Sequence, residues 1–456
     1  MTAEVGSRVL AEGGNAVDAV VASAFTSAVV EPGVSSMGGG GFLLVRGPDG
    51  SSSLLDFFTA VPSGPVYDIE TVTVRYAGTT QDFHAGKATV AVPGCIDGFL
   101  QAHRMWGTLP LADLVAPAVA LARDGFRLEP AQAHAMALIE PVLMFTPQVR
   151  ARMAVDGRLL GAGEMFRDVE LAAFLQEMAA GRITGIRDLV AAFEALDGPV
   201  TAADVEAYEV IEREPLLADI GAGRITTNPL PSLGGSIVAH VLADLADEQH
   251  PQPVAIAQAL AETTAWLKAQ VAGPISSTGT THISVLDGEG MCAAMTVSNG
   301  LGAGVILPGT GVHLNNMMGE EDLHPGGAES AVPGERIRSM MAPSVVEFGD
   351  SMLALGSGGS ERIRSALTRV ITLVLGGDRR LAEAVDAARV HVDNRGLIQV
   401  EPGLDADQVA ALNQLGDVKV WPDRHFYFGG VNAVLSTPEG LQAHADPRRG
   451  GSATVL

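Results

Sequence analysis

The chain has little positive charge for its size. Its 456 residues include 29 lysines and arginines against 53 aspartates and glutamates, which gives a net charge of −24. A nucleic-acid-binding protein needs a basic surface to neutralise phosphates, so this balance argues against that function. An acidic surface favours solubility and disfavours binding to anionic membranes or polyanionic substrates. We therefore expect a small-molecule partner and neither a nucleic-acid nor a membrane partner.

Cysteine is nearly absent, and the histidines are scattered. Cys95 and Cys292 lie far apart and outside any Cys-x-x-Cys spacing, so the sequence predicts neither a disulfide framework nor a zinc knuckle. The eleven histidines form no His-Glu-x-x-His pattern, and we expect no metal and no other cofactor.

Long apolar segments and a recognisable leader are also missing. The small-apolar stretch Ala16–Val30 contains Asp18 and is too short to span a bilayer. The start, Met1–Glu4, has no basic and no apolar targeting region. We expect a cytoplasmic protein, although a chain whose leader had been removed would begin in the same way.

What the chain does contain is enough apolar sequence for a large core. Hydrophobic residues make up 47% and charged residues 18%, which is typical of a globular fold. Alternating helix-like and strand-like segments predict an α+β or layered α/β fold with antiparallel strands. Helical patterns cover 3–30 with a break at 13–15, 96–128, 165–208, 230–245, the first part of 251–278, 359–376 and 381–390. Strand patterns cover 42–45, 52–57, 280–285, 293–297, 352–356, 430–436 and 440–444.

The Gly279–Thr280 junction is the most informative part of the sequence. A threonine hydroxyl is a weak nucleophile unless a base lies nearby. Cleavage of this peptide bond would give Thr280 a free α-amino group, whose pKa near neutrality suits it to act as that base. From this segment alone, a strand edge after a Ser/Thr-rich turn remains the alternative.

The residues after Thr280 predict a β-hairpin. Asp287-Gly288-Glu289-Gly290 is a turn sequence between two apolar strands. If the hairpin turns around Glu289, antiparallel pairing places Ser298 opposite Thr280, where its hydroxyl could support the nucleophile. A register shift of one residue would point Ser298 away.

Several motifs resemble the γ-glutamyltransferase family, in the family's order and over nearly the whole chain. They are Gly14-Asn15-Ala16-Val17-Asp18-Ala19, Gly38 to Phe42, Val92-Pro93-Gly94, Thr280-Thr281-His282-x-Ser284-Val285, Leu314-Asn315-Asn316, Gly356-Ser357-x-Gly359-x-x-Arg362-Ile363 and Asp446-Pro447-Arg448. The resemblance implies an N-terminal-nucleophile hydrolase with a four-layer αββα sandwich. It also implies self-cleavage into fragments 1–279 and 280–456, which remain together as one intertwined domain, either alone or in a higher oligomer.

The same resemblance assigns the catalytic residues. Thr280 would be the nucleophile of both self-cleavage and the acyl-enzyme reaction. Ser298 corresponds to a family threonine whose hydroxyl supports the nucleophile, and Asn299 corresponds to a substrate-binding asparagine. Without a gap, Gly359 and Ser360 match the two glycines whose N–H groups form the oxyanion hole, whereas a one-residue shift would select Gly358 and Gly359.

Other polar motifs are expected to be structural. His282 is interpreted as a strand or core histidine, Arg362 as part of a helix-end ion pair, and Asp446-Pro447-Arg448 as a structural motif. The glycines at 38–41 are expected to allow tight packing.

The sequence departs from the family where the substrate glutamate would bind. Phe58 stands where a carboxylate-binding arginine is expected, and an aromatic ring cannot replace a bidentate cation. Arg336 or Arg338 could supply the lost charge, with a surface or interdomain salt bridge as an equal alternative.

Two other parts of the glutamate site also differ. The paired serines appear as Ser339-Met340, and the residues that bind the amino group become Met317 and Glu320 (or Glu321). A site that contains Phe58, Met317 and Met340 favours a flatter or more apolar acyl group, although Glu320 could still meet an ammonium.

These features predict a self-processing threonine hydrolase that acts on a small amide other than glutathione. One alternative is a family member of a natural-product pathway that hydrolyses a carbon–carbon bond to remove an acyl group. Another is an ordinary glutathione hydrolase. A binding protein with a dead site is disfavoured because Thr280, Ser298 and the Gly359 turn are all present.

Overall fold

The computed structural model describes residues 1–65, 69–76, 79–270, 279–320, 331–377 and 380–456, and it contains two stacked β-sheets between layers of helices. The helices are α1 Thr2–Ala11, α2 Ala16–Val30, α3 Cys95–Trp106, α4 Leu111–Asp124, α5 Pro130–Leu138, α6 Glu140–Leu143, α7 Pro147–Met153, α8 Val169–Ala179, α9 Val190–Leu196, α10 Ala202–Ala207, α11 Leu233–Asp244, α12 Pro253–Gln270, α13 Arg362–Leu375, α14 Leu381–Asp386 and α15 Ala406–Leu415. The strands are β1 Gly40–Arg46, β2 Ser52–Phe57, β3 Glu70–Tyr76, β4 Thr79–Ala85, β5 Phe126–Arg127, β6 Ala154–Val155, β7 Arg158–Leu159, β8 Met165–Phe166, β9 Ile211–Arg213, β10 Leu216–Asp219, β11 Arg224–Thr227, β12 Thr280–Leu286, β13 Cys292–Ser298, β14 Ser344–Phe348, β15 Ser351–Gly358, β16 Val390–Val392, β17 Ile398–Val400, β18 Val418–Val420, β19 Gly430–Thr437 and β20 Gly440–Ala445.

The first of the glycine-containing motifs begins helix α2. Asn15 accepts a hydrogen bond from the Asp18 N–H (2.9 Å), and Asp18 accepts one from the Asn15 N–H (3.1 Å). This reciprocal arrangement is a capping box, which satisfies two backbone donors at the start of a helix. Asp18 also accepts a hydrogen bond from the Thr108 N–H (3.0 Å) and so ties α2 to the loop after α3.

Each central sheet combines strands from both sides of Gly279. The first sheet has the order β12-β13-β1-β2-β9, and the second has the order β10-β11-β14-β15-β19-β20. In both sheets, strands before residue 279 are hydrogen-bonded directly to strands after it. A cut at this position would therefore leave two fragments whose strands remain interleaved.

Alternating side chains sort the first sheet into two apolar faces. Phe42 and Leu44 of β1 belong to a buried cluster between the sheets, whereas Leu43 and Val45 belong to the core beneath the helices around α2. In the second sheet, Leu353 of β15 packs with α11 and α13. The period-two alternation produces helix, sheet, sheet and helix layers. The predicted αββα sandwich is confirmed.

Some predicted elements differ in extent. The helical segment predicted over 165–208 divides into α8, α9 and α10 because Gly181 adopts a positive φ of 68° after α8, and Gly198-Pro199 follows α9. The segment 96–128 divides at Gly107–Pro110 into α3 and α4. The β3–β4 hairpin was not predicted.

In the part of the chain that the structure describes, every helix is too short or too polar to cross a lipid bilayer.

The Asp446-Pro447-Arg448 motif forms a buried ion network at the end of β20. Asp446 contacts the Arg389 guanidinium and accepts a hydrogen bond from the Val431 N–H (3.1 Å). Arg448 bonds Asp446 (3.2 Å) and Glu401 (2.6 Å). Burial alone would raise the pKa of Asp446, but the two arginines lower it below its usual range. The network holds the start of β19 beside β20.

Replacement of Asp446 by Ala should destabilise the fold strongly, because Arg389 and Arg448 would lose a buried counter-ion. We expect the free energy of unfolding to fall by about 3–5 kcal/mol, measured by urea denaturation. Asp386→Ala is the matched control, since Asp386 pairs with the partly exposed His444 and Arg424 and should change stability by less than about 1 kcal/mol. Equal losses in the two variants would contradict this interpretation.

Candidate active site

The β12–β13 hairpin places Thr280 directly opposite Ser298. Pairing proceeds from Thr280 with Ser298 to Leu286 with Cys292, around the turn that follows Asp287. The predicted register is confirmed. Ser298 lies on the same strand face as Ala294, which packs between the two sheets, so the Thr280 and Ser298 side chains face the second sheet.

The Ser298 hydroxyl contacts the peptide bond that precedes Thr280. It donates a hydrogen bond to the Gly279 carbonyl oxygen and accepts one from the Gly300 N–H (3.0 Å). Thr280 is 4% exposed, and its Oγ1 makes no hydrogen bond within the described part of the chain. The arrangement thus combines a polarised carbonyl with an adjacent hydroxyl that no other group holds.

Gly279 fits this position because it has no side chain. A methyl group at Gly279 would lie 1.8 Å from the Gly300 carbonyl oxygen and 3.3 Å from the Gly33 carbonyl oxygen. Real non-bonded carbon and oxygen atoms do not approach so closely, so any larger residue would move the peptide bond away from Ser298.

His282 is a neutral core histidine. Its Nδ1 lies 2.8 Å from Thr296 Oγ1 and its Nε2 lies 2.7 Å from Ser284 Oγ. Burial lowers the pKa of His282 to about 3. The Asn432 amide donates to the His282 carbonyl (2.7 Å) and links β12 to the second sheet. These contacts agree with the expected structural role.

A glycine turn, Gly358–Ser360, connects β15 to α13 beside Thr280. A methyl group at Gly358 would lie 2.1 Å from the Thr280 carbonyl oxygen, so the turn packs against Thr280 itself. Gly359 has a φ of 129° and Ser360 has a φ of 60°. Left-handed geometry costs a non-glycine residue about 1–2 kcal/mol, so Ser360 occupies a position that favours glycine. Both alignments of the oxyanion pair, Gly359 with Ser360 or Gly358 with Gly359, fall within this turn.

A buried charge cluster follows the glycine turn. The Glu361 carboxylate lies 3.4 Å from His391 Nε2 and 3.7 Å from Arg364 Nη2. Burial alone would raise the pKa of Glu361, but His391, Arg364 and Arg362 bring it to about 2. Arg362 also lies over the Tyr427 ring at 4.7 Å and donates to its carbonyl (3.1 Å). The cluster anchors the first turn of α13 and thereby the glycine turn before it.

Three residues assigned to the substrate pocket lie in the hydrophobic core. Phe58 is fully buried and stacks on Phe42 with ring centroids 5.6 Å apart. Met317 belongs to the same cluster between the sheets, and Met340 packs in the cluster beneath α11. The structure does not bring these three side chains to a cavity that contains Thr280.

The remaining substrate-site residues are buried near Ser298 or in a neighbouring loop. Asn299 donates to the Leu314 carbonyl (3.4 Å). A methyl group at Gly300 would lie 2.6 Å from Glu320 Oε1, which places this carboxylate beside the Ser298–Gly300 segment. Ser339 Oγ accepts a hydrogen bond from the Met341 N–H (3.0 Å). The alternative residue 321 lies outside the described residues.

Arg336 is engaged elsewhere. Its Nε lies 3.4 Å from Asp56 Oδ1, and its guanidinium lies over the Tyr208 ring at 4.4 Å. Asp56 is buried and also pairs with Arg213 (2.7 Å). Arg336 therefore forms a salt bridge, but a buried one and not the surface or interdomain salt bridge that was the alternative expectation.

A cavity of about 450 Å³ runs along the outer edge of β12 and includes Thr280. Its wall also contains Glu31, Phe426 and Arg449, which sequence reasoning did not identify. Burial raises the pKa of Glu31, and hydrogen bonds to Thr281 and Thr2 partly offset this effect. Arg449 directly follows the Asp446-Pro447-Arg448 motif, and this position next to a family motif is the sequence signal that could have pointed to it.

Among the described residues, no group of three or more His, Cys, Asp or Glu side chains is arranged to hold a metal ion.

The buried histidines make stability depend on pH. The pKa values of His282 (about 3) and His313 (about 4) lie below 6.5 because both rings are buried. The unfolded chain therefore binds protons more readily, and the stability present above pH 6.5 should be lost as pH falls toward 3. The free energy of unfolding is measured by urea denaturation between pH 7.5 and 4. Its slope against pH should be shallower in His282→Gln than in the wild type, by the equivalent of up to one bound proton. His240→Gln, at an exposed site, is the control, and identical slopes for wild type and His282→Gln would contradict the prediction.

Comparison with known proteins finds matches over nearly the whole chain. The family model described as Gamma-glutamyltranspeptidase matches residues 2–272 and 246–456. The Acylase ACY 1 proenzyme of a Pseudomonas species is 30% identical, with 96% of this chain and 89% of that protein covered. The Glutathione hydrolase proenzyme of Escherichia coli is 27% identical, with 98% and 88% covered.

A solved structure shares the fold. The cephalosporin acylase from Bacillus halodurans superposes with a TM-score of 0.79 at 23% identity, and the alignment covers 98% of this chain and 92% of that one. At this identity the likeness shows a shared fold. The chain therefore belongs to the gamma-glutamyltranspeptidase family and is a hydrolase or transferase of the N-terminal-nucleophile class.

Proposed function

We propose that the chain cleaves its own Gly279–Thr280 bond and then uses Thr280 to hydrolyse a small amide other than glutathione. The observation that carries this proposal is the hydrogen bond from the Ser298 hydroxyl to the Gly279 carbonyl. That bond polarises the one carbonyl that Thr280 Oγ1 would have to attack. The proenzyme names of two relatives support a self-processing step.

Self-cleavage begins when Thr280 Oγ1 attacks the Gly279 carbonyl carbon. Negative charge develops on the carbonyl oxygen, where the Ser298 O–H stabilises it. The C–N bond breaks, the nitrogen takes the hydroxyl proton, and an ester links Gly279 to Thr280 Oγ1. Water then hydrolyses the ester, which leaves a carboxylate on Gly279 and a free amine on Thr280.

In the mature enzyme, the Thr280 amine accepts the proton of its own hydroxyl as Oγ1 attacks a substrate amide. The Gly359 and Ser360 N–H groups would stabilise the oxyanion. The amine of the substrate leaves with the proton that the Thr280 amine had accepted. Water then hydrolyses the acyl-enzyme ester. Ser298, no longer held by the Gly279 carbonyl, would support Thr280 Oγ1. The two fragments would remain associated because both sheets interleave their strands.

The burial of Phe58 supports a substrate other than glutathione. By the family resemblance, an arginine is expected at this position to bind the substrate carboxylate, whereas the Phe58 ring stacks inside the core. The nearby Arg336 and Arg213 both pair with Asp56. Neither of these two arginines is therefore placed to act as the clamp that distinguishes a γ-glutamyl group from other acyl groups. No feature of the described residues favours carbon–carbon cleavage, which remains an outcome of the substrate test.

Thr280→Ala should abolish self-cleavage, and Ser298→Ala should slow it about 10²–10³-fold through loss of an oxyanion donor. Intact mass spectrometry over time measures the fragments 1–279 and 280–456. Thr281→Ala, whose side chain faces the helices instead, should still be cleaved, and Ser298→Thr should retain cleavage. A wild-type chain that stays intact during prolonged incubation would contradict the proposal.

The cleaved enzyme should hydrolyse simple N-acyl p-nitroanilides faster than γ-glutamyl p-nitroanilide, because the glutamate clamp is replaced. The measurement is kcat/KM for each substrate, with uncleaved Thr280→Ala as the blank. Faster turnover of the γ-glutamyl compound would identify an ordinary glutathione hydrolase. Cleavage of the chain without turnover of any anilide, but with acyl release from a β-diketone, would identify a carbon–carbon hydrolase.

A further inference from the structure

Glu31 is a half-buried carboxylate that directly follows helix α2 and lines the same cavity as Thr280. It accepts hydrogen bonds from the hydroxyl groups of Thr281 and Thr2, the latter at 3.3 Å. Among the described residues, no lysine, arginine or histidine side chain forms an ion pair with Glu31. The Met1 amino group acts on it only weakly and pairs with Glu4 at 3.4 Å.

This carboxylate lies in surroundings that favour the arrival of a cation. Withdrawal from water disfavours a negative charge that has only neutral partners. The C-terminal end of a helix disfavours it further, because the carbonyl groups there carry partial negative charge. Glu31 therefore lacks a close counter-ion in the uncleaved chain.

The segment that contains Glu31 packs against the Gly279–Thr280 bond. A methyl group at Gly279 would lie 3.3 Å from the Gly33 carbonyl oxygen. On the other side of the bond, the Thr281 hydroxyl contacts Glu31 itself. The residues on both sides of Thr280 are thus in contact with the segment that begins at Glu31.

The Thr280 nitrogen points toward the cavity. A methyl group at Gly39 would lie 2.2 Å from the Ser298 carbonyl oxygen, and one at Gly358 would lie 2.1 Å from the Thr280 carbonyl oxygen. Neither carbonyl therefore points across the β12–β13 pair, and residues paired in this way direct their N–H groups outward as well. Because β12 is an edge strand, the amine released on Thr280 would lie on the side that Glu31 lines.

We propose that the Glu31 carboxylate binds the α-ammonium group that self-cleavage creates on Thr280. This inference rests on the proposed function and adds a positioning residue to it. One N–H of the amine donates to Glu31, which leaves the nitrogen lone pair to accept the proton of Oγ1. Cleavage supplies the counter-ion that Glu31 lacks, and Glu31 in turn fixes the catalytic amine.

Other titratable groups near the Thr280 amine stay the same when Glu31 is replaced. Arg449 lies beside Gly358, and Glu320 lies beside Gly300. His282 is neutral because burial lowers its pKa to about 3. Further along the cavity wall are Glu129, Asp287 and His444. Glu31→Gln therefore removes one charge and keeps the others, and loss of a nearby negative charge destabilises an ammonium.

Glu31→Gln should lower the pKa of the Thr280 amine in the cleaved protein by about one pH unit. Competitive labelling with acetic anhydride at a series of pH values measures this pKa without turnover, because only the neutral amine reacts. Mass spectrometry quantifies the label on the peptide that begins at Thr280. The acid limb of kcat/KM should move to lower pH by the same amount, whereas a merely structural role for Glu31 would leave both pKa values in place.

Glu129→Gln is the matched control, because Glu129 is an exposed carboxylate of the same cavity. It should leave the pKa of the Thr280 amine unchanged. Glu31→Asp keeps the charge and should shift this pKa less than Glu31→Gln does. If Glu31→Gln does not fold, the wild type alone gives the comparison: the pKa of the Thr280 amine should be higher in the folded protein than in urea-unfolded fragments.

The outcomes separate the possible failures. A cleaved Glu31→Gln variant with the wild-type pKa at its Thr280 amine overturns the assignment of Glu31, as does a wild-type amine whose pKa folding does not raise. A Glu31→Gln variant that folds but is not cleaved would assign Glu31 to the cleavage step and would also overturn the proposal. A wild type without any fragment that begins at Thr280 would refute the proposed function instead.

Discussion

The hydrogen bond from the Ser298 hydroxyl to the Gly279 carbonyl is the contact on which the proposed chemistry depends. It exists because the β12–β13 hairpin pairs Thr280 with Ser298 and because Gly279 carries no side chain. A register shift of one residue would point one of the two hydroxyls away from the other. The turn after Asp287 therefore sets the register on which the proposed role of Thr280 as a nucleophile depends.

The second sheet completes the site from the opposite side. The Gly358–Ser360 turn packs on the Thr280 backbone, and the Glu361 charge cluster anchors the helix that follows it. The positive φ of Ser360 needs such support, because a serine pays a steric cost in left-handed geometry that a glycine does not. Catalytic geometry thus depends on contacts between two sheets whose strands come from both halves of the sequence.

The sequence predicts well those features that local chemistry determines. Asn15 predicts the start of α2, and the Asp287–Gly290 turn predicts the register that brings Ser298 to Thr280. Residues whose position depends on tertiary packing could not be placed in this way. The sequence predicts a departure from the family at Phe58, but only the packed sheets show that the ring of this residue is buried. Likewise, only the packed structure shows that the Arg449 side chain lies beside Gly358, the glycine that packs against the Thr280 backbone.

The central claim is that residue 280 becomes a new N-terminus. N-terminal sequencing of the smaller fragment of the purified protein tests it most directly. The account predicts one sequence that begins Thr-Thr-His-Ile-Ser, at Thr280. A smaller fragment that begins at any other residue, or the absence of a second N-terminus, would contradict it.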